Sequence, residues 1–291
     1  MERCVLLSAC LPKKTSSGSV SVDNNLKTVF VRCEGVRIVY YKINALGMLD
    51  FWDKHWEDSV YNVSKEYYRP YLKGFLGYGR VQDVFNKFLP RKGLILEAGC
   101  GTGRYVISLR ARGYNCFGVD SASKTVQKIK DYFPDLPVEV GDICKLNLKD
   151  ESIDAYISLG VMEHFKEGPY TAIKEACRVL KKKGIILVSV PQIFLWRKLQ
   201  AHPEGTPLPE NASFYQYAFS VDEFRSNLLN AGFRIKGEYG YYSHYAFTLR
   251  FNFFRKALKI FRKLALLDLI IDRMPVGKNI SRMRLYVAEK I

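Results

Sequence analysis

The sequence predicts an α/β fold with a parallel sheet, on three observations. A short apolar run at 94–98 leads into glycines at alternate positions, Gly99, Gly101 and Gly103, and a helix-like segment follows. Strand-like and helix-like segments then alternate along the chain. The second strand-like segment ends in a carboxylate, Asp120. Because crossovers between parallel strands carry helices and are right-handed, this alternation indicates a parallel sheet covered by helices.

The order of the elements follows from apolar periodicity and turn residues. Strands are predicted at 94–98, 114–119, 137–140, 153–158, 184–190, 233–236 and 283–290, and helices at about 102–112, 121–133 and 168–182. Gly113 and Gly184 are predicted to end the helices before them, since glycine adopts the left-handed conformation that closes many helices. Ser220 and Glu223 stand in capping-box spacing, which predicts a further helix from Ser220.

Changes in this pattern suggest the domain boundaries. Residues 1–47 are an N-terminal extension, predicted either to form a β-hairpin around Glu34 and Gly35 or to be a misassigned start ahead of Met48. The remainder is predicted to be one domain. Its boundaries are 48–291 for the whole domain, 90–190 for its core, and 192–217 and 247–280 for insert or lid segments, the first of them irregular and proline-rich.

Composition limits the class of protein. The chain has 291 residues, of which 48% are hydrophobic and 14% aromatic, which supports a sizeable core. The net charge is +16, and residues 246–291 carry eleven Lys or Arg against three Asp or Glu, half of that charge. Such a charge suggests an anionic partner. Seven scattered cysteines without a C-x-x-C pair predict free thiols in a reducing cytoplasm and no zinc site. No apolar run reaches the ~18 residues of a transmembrane helix.

The spacing of the glycines excludes a dinucleotide site. The pattern G-x-G-x-x-G requires a third glycine where Arg104 or Val106 stands. The residues present are instead E-x-G-x-G-x-G, from Glu97 to Gly103. This sequence resembles motif I of the class I S-adenosylmethionine-dependent methyltransferases. The later segment 152–165 resembles the fourth-strand motif of the small-molecule enzymes of that family, including those of quinone biosynthesis.

Later segments extend the resemblance in the family's order. Asp120 lies 21 residues after Gly99, a position where a carboxylate can bind ribose hydroxyls, although it could instead cap the next helix. Gly141-Asp142-Ile143 ends the third strand. The segments 152–165 and 178–191 resemble the family's fourth strand and its next helix and strand. The resemblance is strong over about residues 60–190 and looser beyond them.

The resemblance implies both a fold and a cofactor. The fold is a doubly wound, mostly parallel seven-stranded sheet of the Rossmann-like methyltransferase type, with a helical N-terminal cap and a basic helical insert before the last strand. The cofactor is S-adenosylmethionine. The implied cofactor-binding residues are Glu97, Gly99, Gly101 and Gly103 at the methionine end, Asp120 at the ribose, Asp142 and Ile143 at the adenine, and Leu159 and Gly160 beside the sulfonium.

His164 is the candidate catalytic residue. It follows the strand that would face the cofactor, and histidine can titrate near neutral pH and act as a base toward a protonated acceptor. Packing or capping at the strand end is the alternative role. Tyr67, Tyr68 and Tyr71 could line an acceptor pocket, although aromatic residues at helical spacing more often belong to a core.

The predicted activity is methyl transfer to a small molecule, lipid precursor or glycan, with oxygen favoured as the acceptor atom. Two alternatives stay open, an RNA or protein methyltransferase that uses the basic C-terminal segment, and a non-catalytic protein that binds the cofactor. The absence of an Asp/Asn-Pro-Pro-Tyr/Phe motif and of paired catalytic cysteines after the fourth strand disfavours nucleic-acid acceptors. The basic amphipathic segment 247–273 predicts either a peripheral contact with an anionic membrane or a lid, in a cytoplasmic protein.

Overall fold

A computed structural model gives the architecture of the chain and describes residues 29–43, 52–53, 56, 65–77, 79–243, 270–274 and 277–291. The strands are β1 Val29–Glu34, β2 Arg37–Ile43, β3 Leu94–Ala98, β4 Asn115–Asp120, β5 Val138–Val140, β6 Ile153–Leu159, β7 Leu180–Pro191, β8 Ala212–Ala218, β9 Phe233–Tyr241 and β10 Met283–Lys290. The helices are α1 Lys65–Tyr68, α2 Arg80–Phe88, α3 Arg104–Ala111, α4 Ser123–Tyr132, α5 Tyr170–Val179, α6 Leu195–Gln200, α7 Val221–Asn230 and α8 Gly277–Ile280. Short 3-10 turns occupy Tyr71–Lys73 and Met162–His164.

Seven strands form the central sheet in the order β5-β4-β3-β6-β7-β10-β9. The pairs from β5 through β7 are parallel, and β10 runs antiparallel to both of its neighbours. The predicted mostly parallel sheet is therefore confirmed. The chain leaves β3 toward β4 on one side and later returns to β6 on the other. In open α/β sheets a ligand crevice forms at the carboxyl ends of two such strands.

Helices cover both faces of this sheet. Strand β3 is buried on each side, because Leu96 packs in one apolar cluster and Ile95 in the other. Helices α5 and α7 contribute to the first cluster, and α2, α3 and α4 to the second. Burial on both faces explains why the parallel strands of this chain read as continuous apolar runs rather than as alternating patterns. The resulting three layers fix the ends of β3 and β6 rigidly.

A second, three-stranded antiparallel sheet has the order β1-β2-β8. Strands β1 and β2 are joined by a turn at Gly35 and Val36, and β2 pairs along its other edge with β8. Residues 192–217 therefore contain helix α6 and most of β8, and the expectation of irregular structure there is wrong. The prolines of this segment, at 203, 207 and 209, lie in the connection between α6 and β8, where no ladder needs their missing N–H groups.

Helix α5 ends at Val179, three residues before its predicted end, and Gly184 lies inside β7. Glycine is required at position 184 because the backbone of the strand itself leaves no space for a side chain. A Cβ at position 184 would lie 2.8 Å from the carbonyl oxygen of Lys181, and Lys183 has a φ of +63°. This part of β7 is thus irregular, and its pairing with β6 shifts register at the same level. Gly113, with a φ of +82°, follows α3 as predicted.

Several predictions concern residues that the structure does not describe. Most of the basic segment, 247–269, lies outside the described residues, as do 1–28 and Met48. Among the described residues, no helix is long and apolar enough to cross a membrane. Within the same part of the chain, no group of three or more His, Cys, Asp or Glu side chains is arranged to hold a metal ion.

The hairpin offers a matched pair of stability variants. Val39 in β2 is 1% exposed, whereas Val36 at the turn is 67% exposed. We expect Val39→Ala to lower the free energy of unfolding by about 1–3 kcal/mol, since two buried methyl groups are lost, and Val36→Ala to leave it unchanged. Thermal unfolding followed by circular dichroism measures the difference.

A start at Met48 stays a prediction, and it would gain support if a chain beginning at Met48 were as stable as the full chain.

Candidate functional site

A cavity of about 650 Å³ opens where β3 and β6 end. This volume lies within the range of about 300–1,000 Å³ that is typical of ligand sites. Nine of the ten residues singled out from the sequence line the cavity: Glu97, Gly99, Gly101, Asp120, Asp142, Ile143, Leu159, Gly160 and His164. Gly103 is absent from the lining. It takes a φ of +70° immediately before α3 and turns the chain into that helix.

The glycine loop connects β3 to α3 and is packed too closely for side chains. Gly99 has a φ of +77°, and a Cβ there would lie 2.4 Å from a methyl carbon of Val161. Gly101 has a φ of +51°, and a Cβ there would lie 2.5 Å from the ring of Trp56. Both the backbone conformation and the close neighbours therefore require glycine. Thr102 lies in the lining of the same loop.

Glu97, the penultimate residue of β3, places a carboxyl group in the wall of the cavity. Its side chain is 4% exposed, and its Oε2 accepts a hydrogen bond of 3.0 Å from the N–H of Val106. Burial raises the pKa of Glu97 to about 8, against the lowering effect of the nearby Arg104 charge. At pH 7 this carboxyl group is therefore mostly protonated in the cofactor-free protein.

Asp120, the last residue of β4, ties two loops together. Its Oδ2 accepts a hydrogen bond of 2.6 Å from the N–H of Gly101, and its Oδ1 accepts one of 2.9 Å from the N–H of Ala122. Burial raises the pKa of Asp120 above its ordinary value, and these two N–H groups oppose that shift. A carboxylate has about four acceptor positions, so this one can still receive hydrogen bonds from ligand hydroxyls.

The ends of β5 and β6 supply the next part of the wall. The Oδ1 of Asp142 accepts a hydrogen bond of 2.8 Å from the N–H of Cys144, and the exposed carboxylate lies beside the buried Ile143. Leu159 is the last residue of β6 and Gly160 follows it, and the N–H of Gly160 donates to the carbonyl oxygen of Ser189 in β7. A polar edge thus adjoins an apolar surface at this side of the cavity.

His164 also lines the cavity, from the turn that follows β6. Its Nδ1 is 2.8 Å from the carbonyl oxygen of Tyr215 in β8. A carbonyl oxygen only accepts hydrogen bonds, so Nδ1 carries the proton in the neutral ring, and Nε2 has the basic lone pair. Trp52 packs edge-on against the imidazole, with 4.6 Å between ring centroids. The ring is therefore held in one tautomer and one orientation.

The structure adds site residues that the sequence reasoning missed. Aromatic rings dominate the rest of the lining, which includes Trp52, Trp56, Tyr67, Tyr105, Phe165, Tyr215, Tyr241 and Tyr242. Of the three tyrosines considered from the sequence, only Tyr67 lines the cavity, whereas Tyr68 is fully buried. Glu163 is the other omission, and its position directly before His164, just after a parallel strand, was the available signal.

Asp53 fixes the segment that carries two of these aromatic residues. Its Oδ1 accepts hydrogen bonds from the N–H groups of Lys124 and Thr125, at 3.1 and 3.2 Å, in the first turn of α4. It therefore caps this helix from a distant part of the chain. Asp53 lies beside Trp52, which contacts His164, and close in sequence to Trp56, which lies against Gly101 of the glycine loop, and both rings line the cavity.

The groups around the cavity match the chemistry of an adenosine-type cofactor with an amino acid at one end. A carboxyl group, Glu97, lies at the bare glycine loop, and a second, Asp120, has acceptor positions for a pair of ribose hydroxyls. Asp142 and Ile143 offer an acceptor next to an apolar surface, which suits a base with an amino group. The residues present therefore fit S-adenosylmethionine.

Comparison with known proteins gives the same family. The family model described as a methyltransferase domain matches residues 96–188. A probable S-adenosylmethionine-dependent methyltransferase of Mycobacterium tuberculosis is 29% identical over 156 residues, which are 53% of this chain and 54% of the relative. The chain spans about half the length of the curated mycobacterial relatives that it matches. A tRNA (carboxymethyluridine(34)-5-O)-methyltransferase of Arabidopsis thaliana is 34% identical over 113 residues, 37% of this chain and 26% of the relative.

A solved structure supports the fold. The crystal structure of an S-adenosylmethionine-dependent methyltransferase from Thermotoga maritima superimposes with a TM-score of 0.52. It is 22% identical, and the match covers 84% of this chain and all of that chain. At this identity the likeness concerns the fold alone, and the seven-stranded sheet with its covering helices is what the two proteins share.

Proposed function

This chain belongs to the class I S-adenosylmethionine-dependent methyltransferases, and from that premise we propose that it transfers a methyl group to an oxygen atom of a small-molecule, lipid-precursor or glycan acceptor. One observation carries the proposal. The glycine loop, the carboxyl groups of Glu97, Asp120 and Asp142, and His164, held in one tautomer, all line a single cavity. Cofactor and acceptor would thus share one cavity, with a base in its wall.

The chain's own residues would hold the reactants in line. S-adenosylmethionine, when bound, supplies an activated methyl group on a positively charged sulfur, and the rest of the cofactor is the leaving group, a neutral thioether. Asp120 and Asp142 would hold the nucleoside, and Glu97 the amino acid end. With the donor already activated, alignment of the acceptor supplies much of the rate acceleration. The rings of Trp52 and Tyr215 border the space left for that acceptor.

His164 would take the acceptor's proton. The carbonyl oxygen of Tyr215 keeps Nδ1 protonated, so the lone pair of Nε2 is the group that can accept a proton from an acceptor hydroxyl. As the oxygen forms its bond to carbon, the O–H proton moves to Nε2, and an imidazolium results. Solvent later removes that proton. A base at this position contributes about 10²–10⁴-fold in rate in comparable enzymes.

Labelled S-adenosylmethionine tests the proposal. The full chain is incubated with a small-molecule and lipid extract and methyl-labelled cofactor, and mass spectrometry identifies the labelled product. We expect a methyl ether or a methyl ester. Labelled product with the methyl group on nitrogen, carbon or sulfur would contradict the choice of oxygen, and cofactor binding without any labelled product would favour a non-catalytic binding protein.

Glu97 predicts a proton release that accompanies cofactor binding. The methionine end of the cofactor carries a positive amino group, which favours the ionised carboxylate over the protonated form present in the free protein. Because the pKa of Glu97 starts at about 8, binding at pH 7 should release close to one proton, and affinity should rise as the pH increases from about 6 to 8. Calorimetry in phosphate and in Tris buffer measures this release as a difference in heat. Equal heats in the two buffers would contradict the prediction, and Glu97→Gln should abolish the difference.

RNA is the second candidate acceptor, on two observations. A tRNA methyltransferase is among the relatives, and the net charge of +16 favours a polyanion. Total RNA in place of the extract tests this candidate. Labelled nucleosides after digestion, with a yield that falls steeply with salt, would replace the small-molecule proposal.

A peripheral contact with an anionic membrane through 247–273, in a cytoplasmic protein, stays a proposal. The eleven basic residues in 246–291 support it by charge alone. Flotation with vesicles of phosphatidylcholine, with and without phosphatidylserine, tests it. Binding should require the anionic lipid and weaken with salt, and its absence at low salt would rule the contact out.

A further inference from the structure

The carboxyl group next to His164 is a buried polar group that the proposed function leaves unused. Glu163 lines the cavity and is only 2% exposed. Among the described residues, its Oε2 has no hydrogen-bond partner. Leaving a buried polar atom without a partner costs free energy, so native structures rarely do it. The carboxyl group of Glu163 therefore keeps hydrogen-bonding capacity that the described residues leave unused, and its other oxygen, Oε1, is the one that lies near Nε2 of His164.

The separation of these two polar atoms indicates which ligand atom fits between them. Glu163 Oε1 lies 4.0 Å from His164 Nε2. If a ligand oxygen atom lay at a hydrogen-bond distance of about 2.8 Å from both atoms, the angle at that oxygen between Oε1 and Nε2 would be about 90°. That angle suits a hydroxyl group, which donates one hydrogen bond and accepts others. The two side chains therefore form a fork that fits one hydroxyl oxygen.

We infer that the carboxyl group of Glu163 donates a hydrogen bond to the acceptor oxygen, while His164 accepts the proton of that same oxygen. The inference rests on the proposed function and adds to it a second group that touches the acceptor. Glu163 holds the oxygen and does not take its proton. As the O–H bond weakens, negative charge grows on the oxygen, and the hydrogen bond from Glu163 strengthens.

The charge state of Glu163 agrees with a donor role. Burial raises the pKa of Glu163 to about 8, and the backbone N–H of Glu163 itself, followed by the positive charges of Arg282 and Arg197, opposes that shift. The other titratable groups nearby are the imidazole of His164 and the phenol of Tyr241, whose own pKa burial raises far above its ordinary value. At pH 7 the carboxyl group of Glu163 therefore carries the proton that a donor needs.

The fork selects oxygen over nitrogen. A hydroxyl oxygen has two lone pairs, one to accept from Glu163 and one to form the new bond, while its hydrogen goes to His164. A neutral amine nitrogen has a single lone pair. A hydrogen bond from Glu163 would occupy it, and breaking that bond would leave the carboxyl group buried without a partner. The acceptor class that fits is an alcohol or a phenol.

Two probes of matched size, 4-fluorophenol and 4-fluoroaniline, test the fork. Their binding to the full chain loaded with S-adenosylhomocysteine is followed by fluorine NMR. At about pH 6.5 we expect the phenol to bind about tenfold more tightly, the factor that one hydrogen bond supplies. Glu163→Leu should remove this preference. Glu163→Gln keeps the shape and an N–H donor, so it should retain the preference.

The pH dependence separates a donor from a residue that only fills space. Between about pH 7 and 9 the phenol preference should fall in the unsubstituted protein, because the ionised carboxylate cannot donate, and should stay constant in Glu163→Gln. Equal affinities for the two probes, no binding of the phenol, or a preference unchanged in Glu163→Leu would overturn the inference.

Calorimetry with S-adenosylhomocysteine on the same samples distinguishes this failure from a failure of the proposed function. If the cofactor product binds while the fork shows no preference, the proposed function stands and the inference falls. If the product does not bind to the unsubstituted protein, both fall. Unchanged product affinity in Glu163→Gln and Glu163→Leu shows that both variants keep a folded site.

Discussion

Replacing His164 with alanine is expected to lower kcat by about 10²–10⁴-fold, the usual contribution of a positioned base. Cofactor affinity should change by less than about threefold, since His164 is not among the residues proposed to hold the cofactor. Initial rates with the acceptor identified from the labelled extract measure the first quantity, and calorimetry with S-adenosylmethionine measures the second. The split between a large loss of rate and a small change in cofactor binding separates a base from a structural residue.

His202 provides a matched control for this variant. Like His164, His202 packs against an aromatic ring, since it stacks on Phe30 with 4.5 Å between ring centroids. Unlike His164, it does not line the cavity. We expect His202→Ala to leave kcat within about twofold. Full activity in His164→Ala would remove the base from the mechanism and would imply an acceptor that reaches the site already deprotonated. Equal losses in both variants would indicate a general loss of folding.

Trp52 helps to fix the orientation of the His164 imidazole through its contact with that ring. The ring of Trp52 packs edge-on against the imidazole of His164, and Nδ1 of His164 donates a hydrogen bond to the carbonyl oxygen of Tyr215. An imidazole held by these two contacts loses little entropy when the acceptor binds. The position of the proposed base therefore depends on three parts of the chain, namely the turn after β6, strand β8 and Trp52, rather than on a single motif.

Local patterns predicted the residues that line the part of the cavity proposed to bind the cofactor. The glycine loop, Asp120 and Asp142 each follow a strand of a parallel sheet, and the carboxyl ends of such strands meet at one edge whatever the rest of the chain does. Their convergence on one cavity was therefore predictable from their positions along the sequence. Gly103 differs from the other two glycines in that it does not line the cavity and turns the chain into α3, a difference that alternate glycines do not reveal in sequence.

The part of the cavity proposed for the acceptor depended on contacts between distant parts of the chain. Asp53 caps a helix about seventy residues away, and β8 joins a hairpin about 170 residues before it. Such pairings leave no periodic signal, because each partner segment looks like an ordinary loop or strand. The raised pKa values of Glu97 and Glu163 arise only when folding buries both carboxyl groups, so no spacing rule could give them.

Replacing Asp120 with alanine is expected to weaken S-adenosylmethionine binding by about 10²–10³-fold. Its carboxylate orders the loop through the N–H groups of Gly101 and Ala122, at 2.6 and 2.9 Å, and would also accept from the ribose. Hydrogen bonds to a charged group contribute about 1.5–3 kcal/mol each. Loss of two such hydrogen bonds corresponds to a dissociation constant that is at least about a hundredfold larger. Calorimetric titration of the full chain measures it.

Asp131 is the matched control, since it is an exposed aspartate of α4 whose side chain bonds only Gln127 among the hydrogen bonds described for it. Asp131→Ala should bind the cofactor like the unsubstituted protein. In Asp120→Asn the amide can still accept through its oxygen, but its nitrogen cannot accept from the second N–H group. An intermediate loss is therefore expected, because half of the loop contacts survive. Unchanged affinity in Asp120→Ala would defeat the assignment of the ribose site and, with it, the argument that the glycine loop and the end of β4 hold one ligand.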